Sequence, residues 1–347
     1  MSMSILTGVS DFFGLDIGTS AVRLVELRGG GPVKQLVRFG YVPIDIKLSM
    51  SDSAPDQAKV AQIIKDLLVQ AKVLSKNVVV SIPSQRVFTT LVDVDRLSQS
   101  ELNKSIKLQA DTIIPTPVAE SKIDWALIGD SPKDETKVEV LLTSVPNEFI
   151  ESRLDMLESI GLNVIAFEPD NIALGRALIA PDSTTPQMVV DVGQNSTDIV
   201  IVASGAPRLT RSIPTGASAI VKAAVQNLSI DEQQAHQFVY KFGLNKEKLE
   251  GQIHNAVITT VDILMAEIDK SLKFFLNRYQ IGVDRVIVSG AAAVIPEMPA
   301  YIANKTGLNV EIGNAWRNVS VGTAQQADLS ALSPYFGVAA GLAERNE

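Results

Sequence analysis

The chain has 347 residues, 46% of them hydrophobic and 20% charged, which is enough for two hydrophobic cores of ordinary size. A formal net charge of -8 with no clustered Lys and Arg excludes nucleic acid as the main partner, because neutralising phosphates needs such clusters. The lack of cysteine rules out disulfides and Cys-held zinc or iron–sulfur centres, and two histidines leave little for a His-rich metal centre, so magnesium held by carboxylates is the metal chemistry left open.

No apolar run reaches the roughly 18 residues that cross a bilayer. The opening MSMSILTGVSDFF lacks the basic start of a secretory signal, and with no Lys or Arg before Arg23 it has only the apolar half of a surface-lying amphipathic helix. A cytoplasmic protein is expected. FFGLDI, a glycine turn and AVRLVELR predict a β-hairpin, followed by a third extended run at KQLVRFGYV. From Asp56 to Leu74, the positions Val60, Ile63, Ile64, Leu67, Leu68, Ala71 and Leu74 recur at helical spacing. That helix feeds NVVVSI, an apolar run suited to a strand covered on both faces.

Residues 84–160 have a pattern of their own and read as an inserted α+β subdomain. The strand RVFTTLVDV leads to a capping box, Ser98 with Glu101, which opens a helix to about Ile113. Pro115 and Pro117 stop it, strands KIDWALIG and KVEVLLTSV flank the charged turn DSPKDE, and a helix runs from Asn147 to Ile160. LNVIAF and the helix EPDNIALGRALI follow, and APDSTTP at 180–186 carries the turn chemistry of a domain boundary. MVVDVGQNSTDIVIVA then repeats the opening strand–turn–strand theme. Asp16 and Asp191 are 191 − 16 = 175 residues apart, close to half the chain, so the halves read as duplicated. Helices are expected near 216–228, 231–241 and 252–280, then the strand VDRVIVSG, a helix after Pro296, LNVEI, and a last helix capped by Ser333 with Pro334 at its first position, running to about Ala343. The expected fold is α/β: a first domain at 1–180 plus 330–347, carrying the insertion at 84–160, and a second at 181–329.

Three turns share one design, an apolar strand ending in small residues: Asp16-Ile17-Gly18-Thr19-Ser20, Asp191-Val192-Gly193-Gln194-Asn195-Ser196, and Gly290-Ala291-Ala292-Ala293. Small side chains let a ligand approach the backbone, and amides with the hydroxyls of Thr19, Ser20 and Ser196 can donate to phosphate oxygens. Asp16 and Asp191 would repel phosphate unless a magnesium ion sat between them, held through water. A single Asp-x-Gly turn is usually just a hairpin; two in matching contexts half a chain apart, followed by a third small-residue turn, carry more weight. His236 and His254 read as ordinary helix-surface residues.

This set of turns resembles the actin, sugar-kinase and heat-shock-chaperone ATPase superfamily, which implies an actin-like (ribonuclease H-like) duplicated fold and binding of ATP with Mg2+. In that resemblance Gly14 to Ser20 is similar to the first phosphate loop, Asp191 to Asp198 to the second, and GAAAVIP from Gly290 and Ala291 to Pro296 to the adenosine loop. Glu168, before Pro169, is similar to a glutamate that orients the attacking water; Glu267 and Lys270 match a pair that hydrogen-bonds adenosine; Gly216 is similar to a glycine lining the nucleoside. Each has a plainer rival: a carboxylate at a helix start, a solvated i,i+3 pair, an N-cap glycine.

Within the superfamily the insertion resembles the FtsA and PilM branch (the SHS2-type subdomain). ADTIIPTPVAE at 110–120, EIDKSLKFF at 267–275 and the ending SPYFGVAAGLAER are similar to the PilM family of type IV pilus assembly proteins. The resemblance implies a scaffold at the inner face of the cytoplasmic membrane. It would bind ATP and hold the N-terminal peptide of a PilN-like protein, itself partnered by a PilO-like protein, in a groove between the first domain and the insertion. RVFTTLVDV and IKLQADTII would lie near that groove, unless their apolar faces fill the insertion's own core. Gln194 and Asn195 stand where chaperones have glycines, Ala291 replaces a glycine and Val294 an arginine, so binding with slow or negligible hydrolysis is expected. An FtsA-like filament former, with self-association, and a small-molecule kinase are the alternatives; no carboxylate base for a kinase substrate is apparent.

Overall fold

The computed structural model describes residues 11–29, 31, 33–322 and 326–345; the reading of the opening segment as a surface-lying helix falls largely on residues 1–10, outside them. β1 (Phe13–Ile17) and β2 (Ala21–Arg28) form the antiparallel hairpin, and β3 (Lys34–Pro43) continues the meander. After the short α1 (Ile46–Ser49), α2 (Ala54–Ala71) buries Val60, Ile64 and Leu67 against Phe13, Leu15 and Leu24. β4 (Asn77–Ile82) then pairs parallel to β1, and all but its first residue is buried.

The insertion follows. β5 (Phe88–Asp95), α3 (Gln99–Ile113), β6 (Ser121–Asp130) and β7 (Lys137–Pro146) make a three-stranded sheet in the order β5-β7-β6. α3 opens with both halves of the Ser98–Glu101 capping box and covers one face of that sheet, where Ile106 and Ala110 meet Val94, Val138, Val140 and Leu142. α4 (Asn147–Ser159) leads back to β8 (Asn163–Pro169), parallel to β4, and to α5 (Asp170–Leu178).

The second half repeats the plan. β9 (Gln187–Val192), β10 (Thr197–Ala203) and β11 (Ala206–Ile213) form a meander; α6 (Ala217–Leu228), α7 (Glu232–Phe242) and the long α8 (Gln252–Tyr279) follow, then β12 (Arg285–Ser289), α9 (Met298–Thr306) and β13 (Asn309–Ile312). β9 is flanked by antiparallel β10 and parallel β12, as β1 is flanked by β2 and β4. The repeat extends to register: Asp16 lies opposite Arg23, and Asp191 opposite Asp198. β14 (Val319–Ser320) returns to the first sheet beside β3, and α10 (Gln326–Leu332) and α11 (Gly337–Ala343) end the described chain.

α5 and α11 are the shared layer between the two large sheets: Leu174 and Leu178 with Phe336, Ala339 and Ala340 meet Val25 on one side and Val189, Val200 and Ile287 on the other. The last helix differs from the sequence expectation. Ser333–Tyr335 is a separate 3-10 turn and the helix starts at Gly337. The reason is that the Ser333 hydroxyl is spent elsewhere: it accepts from the Ala315 amide at 2.8 Å and donates to Gly313 O at 3.3 Å instead of capping.

The insertion's other sheet face meets the second half of the chain at Glu139 on β7, which has no exposed surface. Arg208 of β11 donates to it at 2.7 Å, Arg278 of α8 at 2.8 Å through Nε, and the Tyr279 hydroxyl at 2.8 Å; Arg278 also reaches Asp93 of β5 at 2.9 Å. A buried carboxylate is tolerated only when paired in this way.

Candidate functional site

β1, β4, β8, β9 and β12 all end toward one cleft of about 430 Å³ between the two large sheets, as ligand sites do at strand carboxyl ends in α/β folds. Asp16, the fourth residue of β1, sits on its floor, accepts from Ser81 Oγ at 3.1 Å and faces Arg23 Nη1 at 3.3 Å. The Gly18 amide closes the following turn on Ala21 O at 3.1 Å. Ser81 of β4 lies beside Asp16 as Ser289 of β12 lies beside Asp191, the same position in the two repeats.

Gly290 explains the third turn. Its φ is +80°, and a Cβ there would lie 2.5 Å from Val192 O and 3.0 Å from Asp191 Oδ1, so only glycine lets the turn pass the Asp191 carboxylate. Gly216 serves the second turn from below, since a Cβ would stand 2.6 Å from Gly193 O and 2.7 Å from the Asn195 amide. The amides of Ala217 and Ser218 donate to Gly193 O and Gln194 O at 2.9 Å each, so the N-terminus of α6 holds that turn from outside the cleft.

Of the sequence-derived residues, Asp16, Gly18, Thr19, Ser20, Asp191, Gly193, Gln194, Ser196, Gly290 and Ala291 line the cleft. Asn195, Gly216, Glu168, Glu267 and Lys270 are not among its lining residues. Asn195 accepts from Ser218 Oγ at 3.2 Å. Glu168 is buried between Arg176 and Arg345, the latter at 2.8 Å. Glu267 pairs with Lys270 and with Arg211 at 3.1 Å, and Lys270 lines a different groove, of about 510 Å³, with Thr89–Leu91, Leu141 and Phe274.

The cleft also holds side chains to which the sequence reading gave no individual site role: Arg23, Asp170, Asp198, His236, Tyr240 and Tyr335. Asp170 opens α5, where an acid is commonplace, and Asp198 lies within an ordinary apolar strand, so neither carried a signal. The reading of both histidines as helix-surface residues is corrected for His254 alone, since His236 is exposed on α7. His236 faces the cleft, and His254 is buried with Nδ1 3.0 Å from Leu244 O.

Four carboxylates thus share the cleft with one arginine. Burial pushes Asp191 up to about 7 and Asp198 up to about 6. Asp16 is raised because burial outweighs Arg23 and Ser81, and Asp170 is raised well above its ordinary range by burial and by the charges of Asp16, Asp198 and Asp191. Asp191 and Asp198 are direct cross-strand neighbours, a placement that like charges normally avoid. Such a set favours a cation. The buried Oδ1 atoms of Asp170 and Asp198 have no hydrogen-bond partner, and among the described residues no three acidic or histidine side chains group closely enough to hold a metal directly. Those donors fit Mg2+, which keeps several of its waters.

A separate groove of about 850 Å³ runs between α2 and α4, reaching Ala119 and Glu120 of the insertion. Its lining includes Ala54, Ala58, Ala61 and Ala119 together with the acidic Glu120, Glu148, Glu151 and Asp155. Neither RVFTTLVDV nor IKLQADTII lines it: the first gives Thr89–Leu91 to the groove beside Lys270, and the second turns Ile106 and Ala110 into the insertion's core.

A family model described as type IV pilus assembly protein PilM matches residues 14–347. Among solved structures, a PilM–PilN type IV pilus biogenesis complex is similar over 95% of this chain and 97% of that one, with 24% identity and a TM-score of 0.82. The ethanolamine utilization protein EutJ from Carboxydothermus hydrogenoformans matches over 96% of this chain and 89% of that one, at 14% identity and TM-score 0.58. MreB 5 of Spiroplasma citri bound to AMPPNP matches over 96% and 95%, at 13% identity and TM-score 0.54. At such identities these likenesses establish the fold, which is actin-like. No helix among the described residues is long and apolar enough to cross a membrane.

Proposed function

The chain belongs to the family of type IV pilus assembly protein PilM, and from that membership we propose that it is an ATP-binding scaffold of the pilus machinery that holds the N-terminal tail of a PilN-type membrane protein. The observation that carries the nucleotide half is the convergence of the two Asp-x-Gly turns, one from each repeat, on a single cleft with four carboxylates. Backbone amides of the turns and the hydroxyls of Thr19, Ser20 and Ser196 are the donors for phosphate oxygens. Asp16 and Asp191 would hold Mg2+ through water, and bound magnesium would neutralise both the phosphates and the buried carboxylates. Glu168, with both oxygens engaged by arginines, is not free to orient a water, which supports binding with slow or negligible turnover. The similar MreB 5 was solved with AMPPNP, in keeping with this reading.

For the partner, the groove between α2 and α4 is the reading we favour. Its alanines suit an extended tail with apolar side chains, and its four acidic residues suit basic residues on that tail. Through such a partner the protein would sit at the inner face of the cytoplasmic membrane. Titration calorimetry with ATP and Mg2+ on the wild type and Asp16→Ala tests the site, with affinity for the variant expected to fall at least about ten-fold, about 1.4 kcal/mol. Equal binding by both would remove Asp16 from the site. A PilN-type N-terminal peptide is expected to be retained by the wild type at micromolar concentration, and no retention would count against the scaffold role.

A further inference from the structure

We propose that the groove of about 510 Å³ between the insertion, β11 and α8 is a second docking site, which takes an extended, acidic segment of a partner protein as an added strand. It shares no lining residue with the cleft or with the groove between α2 and α4. β5 and β11 are end strands of their sheets, so each leaves a row of backbone N–H and C=O groups outside the ladder. Successive side chains of a strand point to opposite faces. A groove that touches Thr89, Thr90 and Leu91 in a row, and Arg208 to Arg211 in a row, therefore borders the edges of both strands and not merely one face. The four residues of β11 span about 13 Å, room for a short extended segment.

The lining selects the charge of the occupant. Arg208, Arg211, Lys270 and Arg278 line the groove and, among the described residues, no acidic one does, although the chain as a whole carries a formal net charge of -8. Arg208 and Arg278 are answered by Glu139 and Asp93. Arg211 and Lys270 share the single carboxylate of Glu267, which leaves one positive charge over, and their side chains are 39% and 62% exposed. A positive groove on an acidic molecule draws in carboxylates and turns basic segments away.

The groove also offers apolar contacts. Leu91, Leu141 and Leu209 line it, and Phe274, one helical turn beyond Lys270 on α8, lines it while 54% exposed. A single exposed phenylalanine is ordinary; this one stands beside two unpaired strand edges and the exposed cations. An added strand would gain affinity from main-chain pairing and specificity from its alternate side chains, the carboxylates meeting Arg211 and Lys270 and an apolar residue meeting Phe274. The groove between α2 and α4 is acidic, so the two grooves have opposite charge and a single tail suits only one of them. A scaffold built this way joins two different partners.

Fluorescence anisotropy of the full chain with a labelled octapeptide of alternating glutamate and valine tests the site, with serine in place of glutamate as the charge control. The glutamate peptide is expected to bind with micromolar affinity and the serine peptide at least ten-fold more weakly. Lys270→Glu is expected to weaken the glutamate peptide at least ten-fold and Phe274→Ala about three-fold. Lys273→Glu, the same charge change on the same helix but outside the lining, is expected to stay within two-fold of the wild type. Proline at every second position of the peptide removes main-chain donors and is expected to abolish binding. No saturable binding of the glutamate peptide, equal losses in Lys270→Glu and Lys273→Glu, or undiminished binding of the proline peptide would each overturn the proposal. Self-association of the wild type in light scattering that Lys270→Glu removes, with no binding of the peptide, would make the groove an interface between copies of this chain and overturn it as well.

Discussion

Asp191 and Asp198 face each other across one strand pair, and their altered ionisation has a consequence for stability. Their pKa values rise on folding from 3.8 to about 7 and about 6, so the fold favours the neutral acids. The associated stability is full below the unfolded value and is lost as pH rises through the folded ones. Without ligand, the stability that these two groups contribute is therefore expected to fall from about pH 4 to about pH 7. Asp191→Asn is expected to gain on the wild type as pH rises from 5 to 8, by an amount on the order of a few kcal/mol, since a ten-fold change in proton affinity is worth about 1.4 kcal/mol. Equal melting curves at both pH values would contradict this. Asp16 and Asp191 were legible because each precedes a glycine turn at a strand end and the pattern repeats. Asp170 and Asp198 were not, because an acid opening a helix or alternating in a strand is ordinary, and only the fold brings them into one cleft.

Among the elements, α6 matters to the cleft without lining it. A methyl group at Gly216 would collide with the Gly193–Asn195 turn that it supports. Gly216→Ala is expected to lower ATP affinity at least ten-fold while circular dichroism shows the helices retained; unchanged affinity would mean that the turn's position is not critical. In the groove between α2 and α4, Ala58 is an exposed lining residue. Ala58→Trp fills that space and is expected to abolish retention of the PilN-type peptide without affecting ATP, and retention at wild-type strength would place the tail elsewhere. Helix positions were legible from apolar spacing, as for Val60, Ile64 and Leu67 of α2. The start of α11 was not, because the partners that divert the Ser333 hydroxyl, Gly313 and Ala315, lie some twenty positions earlier in the chain.

At the scale of the molecule, Glu139 is bound by Arg208, Arg278 and Tyr279 at sequence separations that no local pattern reports. Removing one partner of a buried charge network leaves the others unpaired, so Glu139→Ala is expected to cost about 3–5 kcal/mol in denaturant unfolding. A loss below about 1 kcal/mol would mean that water reaches the arginines. The insertion is spliced into the first half of the chain, yet these ionic contacts rivet it to β11 and α8 of the second. It therefore bridges the two halves like a clasp across a hinge. Parting the halves must either drag Ala119 and Glu120 away from α2, reshaping the acidic groove, or strip Glu139 of its partners.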